Sequence, residues 1–370
     1  MINMVAQRIA EAGALRAFFN QGDTPYLLIT FNDAGDAGRS DGSSYWGAKL
    51  VEKNSISCIG IVSTKRDWYD PDDMESLCVL LRPYIEPHTQ IITYGNSMGG
   101  YAALRFSGLL KATHVIAVAP QASIDPEIVN SFDIRFRKNF IGRGGKLIKS
   151  DDISGKVWVA YDPRLALDVG HVELISEACP AVRRVAVPYT GHNSIFAFRG
   201  SQQTQDIISA VLADDLTAVN KLVHKTRRNA WQYAYNLANY ALAKRPKIVL
   251  ERIADSKLLR SIPLMPRMAL HIRCLINLGR PSDAQQKIIE IAAAYPLQAV
   301  WHSRNISSLY ASGAYLEAEA AFEEVMRLTK GAEPVARQQE RIYHSANRAR
   351  RLSLQALGSA QPKKSFPDGR

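Results

Sequence analysis

A serine with a glycine two positions away on either side is the feature of this sequence that points most directly to chemistry. The stretch Gly95-Asn96-Ser97-Met98-Gly99 follows a run of β-type residues and precedes an alanine-rich run of helical character. At such a strand-to-helix turn a serine hydroxyl is lifted above the sheet, and the glycines make room for the sharp bend. The pattern predicts that Ser97 is a nucleophile. The alternative is that Ser97 only caps the helix that starts at Met98.

A serine hydroxyl needs a base to take its proton, and the usual base is histidine. His192 lies in the loop after the last predicted strand, where a side chain can reach the top of a neighbouring strand turn. His88 precedes the nucleophile strand, His114 begins a strand, and His171 falls inside a predicted helix. We therefore predict His192 as the base.

Two aspartates could hold that histidine in its correct tautomer and orientation. Asp162 follows the predicted strand 156–161 directly and is fixed by Pro163, which places its carboxylate at the top edge of the sheet. Asp168 stands where a helix is expected to start, so a role as helix cap explains it. We predict Asp162 as the acid, with Asp168 as the alternative.

The elements around these residues alternate between short apolar strands and helices. Such alternation predicts an α/β fold with a doubly wound, mostly parallel sheet, in which active residues lie at the carboxyl ends of strands. The spacing of apolar residues over 1–19 predicts a leading helix. Strands are predicted at 25–31, 55–63, 90–94, 114–119, 156–161 and 182–187.

The stretch 121–155 interrupts this alternation and is expected to form a small cap. It contains six basic residues, at positions 135, 137, 138, 143, 146 and 149. Two interpretations stay open: the bases receive an anionic substrate, or they belong to a solvated loop. Acidic residues at 33, 36 and 41 weaken the first.

Residues of about 20–200 resemble the α/β-hydrolase superfamily. Gly95 to Gly100 is similar to its nucleophile elbow, Tyr161-Asp162-Pro163 to its acid turn, and Gly191-His192 to its histidine loop. The resemblance implies an oxyanion hole formed by the N–H of Met98 and by that of Asn32 or Asp33. It implies no metal and no organic cofactor. Many esterases of this superfamily have His-Gly where this chain has Phe31-Asn32.

Two further stretches, 66–69 and 119–125, resemble hydrolase-like proteins of bacterial surface-glycan and accessory secretion systems. This resemblance implies an acylated glycan or glycoconjugate as the substrate.

From residue 206 onward the strand-like runs end and Ala, Leu and Arg dominate. Residues 275–284 align with 309–318 at an offset of 34, which resembles tetratricopeptide repeats. Such repeats can bind a protein partner or pair with a second copy, here through 220–357, or they can simply pack on the first domain. All of the net charge of +11 comes from beyond residue 200. Because the bases form no dense tract with aromatic residues, binding of nucleic acid is not favoured.

The sequence thus predicts an α/β-hydrolase-like domain over 1–205, a helical repeat domain over 206–357 and a disordered tail over 358–370. It predicts a serine hydrolase or acyltransferase that cleaves an ester or thioester. The alternative function is a protein-interaction scaffold whose repeats bind a partner. No apolar run is long enough to span a membrane and the start lacks a secretory signal, so we expect a cytoplasmic protein.

Overall fold

The chain is built on a sheet of eight strands, six of which run parallel. The computed structural model describes residues 6–37, 44–295, 299–311, 315–329 and 336–359. The strand order is β1-β2-β4-β3-β5-β6-β7-β8; β3 to β8 pair in parallel, and β1 and β2 are antiparallel additions. The predicted mostly parallel sheet is confirmed. The strands are β1 Gln7–Ala12, β2 Leu15–Asn20, β3 Leu27–Phe31, β4 Cys58–Ser63, β5 Ile91–Asn96, β6 His114–Val118, β7 Lys156–Tyr161 and β8 Arg183–Ala186.

A helix lies in each connection from β3 to β8, and most of the described chain after β8 is helical. The helices are α1 Ala48–Lys53, α2 Pro71–Ile85, α3 Met98–Arg105, α4 Pro126–Val129, α5 Ala166–Ala178, α6 Ser201–Leu212, α7 Leu216–Thr226, α8 Trp231–Leu242, α9 Pro246–Asp255, α10 Lys257–Arg260, α11 Leu264–Asn277, α12 Pro281–Ala294, α13 Ala299–Ala311, α14 Tyr315–Thr329 and α15 Ala336–Ser359. Short 3₁₀ helices occur at Arg137–Asn139, Ser150–Asp152, Gly191–Phe198 and Arg227–Asn229.

The sheet changes winding direction at β3. From β3 the chain passes to β4 on one side, and then returns to place β5 on the other side. In open parallel sheets the crevice at the carboxyl ends of two such strands is where ligands bind. The loop after β3 and the turn at Ser97 after β5 border this crevice.

Both faces of the sheet are covered, which explains why the parallel strands are continuously apolar. Along β3, Leu27, Ile29 and Phe31 belong to the buried cluster shared with α2, α3 and α5. Leu28 points to the opposite face and joins the cluster with α1, α6 and α7. Two packed layers therefore hold β3 and its neighbour β5 from above and below.

The predicted leading helix is wrong for its described part, residues 6–19. β1 and β2 form an antiparallel hairpin in which Ala12 pairs with Leu15, and β2 then pairs with β4. Gly13 takes the left-handed conformation at φ 51° in the turn, which a continuous helix could not contain. Residues 1–5 lie outside the described chain.

The chain divides into two compact units, Met1–Leu237 and Ala238–Arg370. The first extends beyond the boundary predicted at residue 205, because Ile207, Ile208 and Val211 of α6 pack in the same cluster as the strands.

The described part of the second unit is helical. The starts of α9, α12 and α14 follow one another at 35 and 34 residues (281 − 246 and 315 − 281). Assignment to the tetratricopeptide type stays a prediction. Of the tail predicted over 358–370, the last two residues of α15 are helical and 360–370 lie outside the described residues. In the described ranges no helix is both long and apolar enough to cross a membrane.

Truncation of Leu28 tests the packing of the sheet. Leu28 is fully buried, whereas Leu80 on α2 is 50% exposed. We expect Leu28→Ala to lower the free energy of unfolding by about 2–5 kcal/mol, since a cavity remains in a packed layer. Leu80→Ala should change it by less than about 0.5 kcal/mol. Urea denaturation followed by circular dichroism measures both, and equal effects would contradict the two-layer core.

Candidate active site

Ser97 occupies a strained turn between β5 and α3. Its backbone lies at φ 53° and ψ −117°, a conformation that non-glycine residues rarely adopt. The glycines on either side are required by space: a Cβ on Gly95 would lie 2.1 Å from the carbonyl oxygen of Gly99, and one on Gly99 would lie 2.4 Å from that of Phe31. Among the described residues Ser97 makes no side-chain capping bond to α3. The capping alternative therefore does not account for its hydroxyl.

The hydroxyl of Ser97 instead meets His192. Ser97 Oγ lies 2.9 Å from His192 Nε2. His192 sits in the 3₁₀ segment that follows β8, and its side chain is 25% exposed. The sheet thus brings together two residues that are 95 positions apart in the chain.

The carboxylate next to His192 belongs to Asp168, not to Asp162. His192 Nδ1 lies 3.0 Å from both oxygens of Asp168. Because a carboxylate can only accept, Nδ1 carries the proton and Nε2 is left to accept from Ser97. The preference for Asp162 is thereby corrected. Helix α5 begins at Ala166, with Leu165 as its N-cap, so Asp168 is its third residue rather than its cap.

Asp162 has a different task. One of its oxygens accepts from the backbone N–H of Arg164 at 2.9 Å, and the other accepts from that of Gly191 at 2.7 Å. The second bond ties the end of β7 to the residue before His192. Asp162 therefore holds the histidine loop.

The predicted oxyanion donors lie on two adjacent segments. The close approach of Gly99 to the Phe31 carbonyl brings the start of α3 against the loop after β3. The Asn32 side chain is engaged in the fold, since it donates to the Ser63 carbonyl at 3.0 Å and accepts from the Ser63 N–H at 2.8 Å. The backbone carbonyl of Asn32 accepts from the Tyr69 hydroxyl at 3.0 Å, so the backbone N–H is the group of Asn32 considered for a substrate. The assignment of Met98, and of Asn32 or Asp33, stays a prediction.

A buried glutamine also lies close to the hydroxyl of Ser97. Gln121 Oε1 lies 3.4 Å from Ser97 Oγ and accepts from the indole N–H of Trp68 at 3.2 Å. Since an indole nitrogen is only a donor, this contact fixes which end of the amide faces Ser97. Trp68 is fully buried and lies at φ 54°. The stretches 66–69 and 119–125 therefore meet beside the serine.

Neither of the two interpretations left open for the 121–155 bases, substrate reception or a solvated loop, describes Arg135. Arg135 points inward and contacts Asp133 and Asp168. Arg143 is paired with Asp70 and Asp72.

The buried carboxylate of Asp133 also accepts from His171. Hydrogen bonds from His171 and Arg135 hold the pKa of Asp133 well below its usual range against the opposing effect of burial. Hydrogen bonds to the carboxylates of Asp133 and Asp168 raise the pKa of Arg135, although burial opposes this rise.

Sequence reasoning missed Gln121, Trp68, Asp133 and His171 as members of the site, and it considered Arg135 only as one of several bases that could receive a substrate. Apart from the pair Asp133 and Arg135, their contacts join residues that are distant in sequence, which no local pattern reveals. One signal was available: Asp168 and His171 are three positions apart, and such residues share a helix face. In the described ranges no group of three His, Cys, Asp or Glu residues is placed to hold a metal ion.

Replacing Gly99 tests the geometry of the turn. The added Cβ of Gly99→Ala must displace the Phe31 carbonyl or the start of α3. A shift of about 1 Å at the nucleophile lowers reactivity about 100-fold. We expect that loss in the rate at which a fluorophosphonate labels the protein. Gly279→Ala is the control for backbone strain alone, because its Cβ would have no atom within 4 Å although Gly279 lies at φ 68°. Equal labelling rates for both variants would contradict the close packing.

A pair of carboxamide variants separates the two aspartates. Asp168→Asn should lower the labelling rate by about three to four orders of magnitude, since an amide favours the wrong histidine tautomer. Asp162→Asn keeps an acceptor oxygen for one of the two backbone N–H groups and should cost about tenfold or less. The reverse ranking would restore Asp162 as the acid.

No protein-family model matches this sequence, and neither does any curated protein. Solved structures are similar over part of the chain. A capsule O-acetyltransferase of Neisseria meningitidis serogroup A is 12% identical, with 58% of this chain and 92% of that chain covered and a TM-score of 0.36. An esterase of Pyrococcus furiosus is 14% identical, with 57% and 93% covered and a TM-score of 0.40. An α/β serine hydrolase without lid from Xanthomonas campestris is 14% identical, with 61% and 96% covered and a TM-score of 0.34. Because these TM-scores lie below 0.5, any assignment of function depends on the chain's own geometry.

Proposed function

We propose that this protein is a serine hydrolase or acyltransferase of the α/β-hydrolase type that cleaves an ester or thioester. The observation that carries the proposal is the unbroken hydrogen-bond chain from Ser97 Oγ through His192 to Asp168, with distances of 2.9 and 3.0 Å. The chain order of serine, acid and histidine and the position of the serine between a strand and a helix support this assignment.

In the proposed mechanism Ser97 Oγ attacks the acyl carbonyl while His192 Nε2 takes its proton. Asp168 keeps the proton on Nδ1 in place and stabilises the imidazolium that forms. The carbonyl oxygen, now an oxyanion, accepts from the N–H of Met98 and from a second N–H at Asn32 or Asp33.

As the tetrahedral intermediate collapses, His192 returns the proton to the leaving alcohol or thiol, and the acyl group stays on Ser97. Water or an acceptor hydroxyl then attacks the acyl-enzyme. His192 takes the proton of that attacker and gives it back to Ser97 Oγ, which restores the free enzyme.

The finer part of the proposal is an acylated glycan or glycoconjugate as the substrate. It rests on the resemblance of the stretches 66–69 and 119–125, both of which contribute a residue beside Ser97. An acetylated polysaccharide should then be deacetylated with a kcat/KM above that of a simple aryl acetate.

The proposal is tested with a fluorophosphonate probe and a short aryl ester. The wild-type protein should be labelled and should turn the ester over. Ser97→Ala should lose labelling and at least about a thousandfold in kcat/KM, since the covalent route is closed. Ser209→Ala is the matched control, because Ser209 is exposed on α6.

Three outcomes decide between a serine enzyme and a protein-interaction scaffold. Loss confined to Ser97→Ala supports the enzyme. Labelling and turnover that are independent of Ser97 contradict it. An unreactive wild-type protein of native fold would instead favour a scaffold that works through its helices.

A further inference from the structure

We propose that Arg135 is a positioning residue, which fixes the carboxylate of Asp168 for its hydrogen bond to His192. This inference rests on the proposed function, because it concerns the acid of the same site. It gives a role to the 121–155 segment that neither its basic charge nor its loop character implied. Through Arg135, the segment fixes the position of a carboxylate in the site.

The first support is the geometry of the guanidinium group. Arg135 Nη2 donates to Asp133 Oδ2 at 2.7 Å and to Asp168 Oδ1 at 3.0 Å, and Arg135 Nε lies 3.0 Å from both oxygens of Asp133. One cation thus bridges two carboxylates whose side chains are 2% and 1% exposed. Charge-assisted contacts of this kind fix direction as well as distance.

The second support is the anchoring of Asp133 on the far side of the bridge. His171 Nε2 lies 3.0 Å from Asp133 Oδ2, and His171 Nδ1 accepts from the backbone N–H of Ala122 at 3.2 Å. Because Nδ1 accepts, Nε2 carries the proton and donates to Asp133. His171 is 1% exposed, so this contact is shielded from water.

These contacts hold helix α5 against the segment through two residues of the helix. Asp168 and His171 lie on α5 three positions apart, on one face. Asp133 and Arg135 come from the 121–155 segment. Two histidine–aspartate pairs, His192 with Asp168 and His171 with Asp133, are therefore joined through Arg135.

The charges explain why a bridge is needed. Two buried carboxylates facing each other repel, and a buried charge without a partner is costly. The positive charge of Arg135 reduces the repulsion between the two carboxylates and gives each buried charge a partner. Two titratable groups contact Asp168 directly: His192 from the histidine loop and Arg135 from the 121–155 segment. Asp133 lies on the other side of Arg135. His171 is the further one on α5.

Loss of the cation has two separable effects. The Asp168 carboxylate is free to rotate, which lowers the reactivity of Ser97. The variant also lacks a positive charge beside the Asp168–His192 pair, and because a like charge nearby disfavours an imidazolium, its removal favours protonation of the His192 ring. In a plot of labelling rate against pH, the acid limb, over which the rate rises with pH, should therefore move to higher pH.

The experiment measures the second-order rate of fluorophosphonate labelling at Ser97 between about pH 5 and 9, where histidine titrates. The full-length protein is compared with Arg135→Met, Arg135→Lys and Arg184→Met. Arg184→Met is the charge-matched control, because Arg184 pairs with Glu173 on the exposed side of α5 at 2.8 Å. Circular dichroism and a thermal midpoint check that each variant folds.

We expect Arg135→Met to be labelled about 10- to 100-fold more slowly, with its acid limb at higher pH. Arg135→Lys keeps the charge but loses the planar, forked donors of the guanidinium group. Its labelling should be slowed by a smaller factor, and the acid limb of its pH profile should stay at the wild-type position. Arg184→Met should match the wild type. If Arg135→Met does not fold, Arg135→Lys decides alone: a lowered rate supports the bridge and a wild-type rate overturns it.

Equal rates and limbs for the wild type and Arg135→Met would overturn the inference while leaving the proposed function intact. A uniform loss in Arg135→Met with no change in the limb would also overturn it, because that result is expected of a merely structural arginine. A wild-type protein that is not labelled at Ser97 contradicts the proposed function instead.

Discussion

The whole site depends on the left-handed backbone of Ser97. A residue held at φ 53° costs free energy that its surroundings must offset. The central position of β5 in the sheet, two glycines that allow backbone to touch backbone, and buried layers on both faces supply that support. The hydroxyl is thereby presented at the edge where β7 and β8 also deliver their loops.

The neighbouring loops divide the remaining work between two aspartates. Asp162 holds the backbone of the histidine loop, and Asp168 contacts the ring itself. The first sets where His192 can be, and the second sets which nitrogen bears the proton. Because Asp168 sits on a helix rather than on the loop directly after the strand, its direction depends on what α5 packs against. The contacts of Arg135, Asp133 and His171 supply that packing.

Much of this arrangement is readable from sequence because it is local. The apolar runs of β3 to β8 reflect burial on both faces, and the glycine spacing around Ser97 reflects the space inside one turn. The preference for Asp162 over Asp168 as the partner of His192 was misjudged for a local reason as well. A helix start placed at Asp168 made that residue look like a cap, whereas α5 begins two residues earlier.

Other errors came from competition between patterns. The apolar spacing over the first residues suits a helix, but the left-handed turn at Gly13 and pairing with β4 favour a hairpin. The contacts of Gln121 with Ser97 and of Arg135 with Asp168 could not be found from sequence, since each joins residues more than twenty positions apart.

The most direct test of the central claim is to trap the covalent intermediate. The protein is mixed with an aryl acetate, quenched in acid within the first turnovers and digested, and the peptides are sequenced by mass spectrometry. The account predicts one acetyl group, on Ser97, that is absent from Ser97→Ala. Ester turnover with no adduct on Ser97, or with the adduct on another residue, would contradict it.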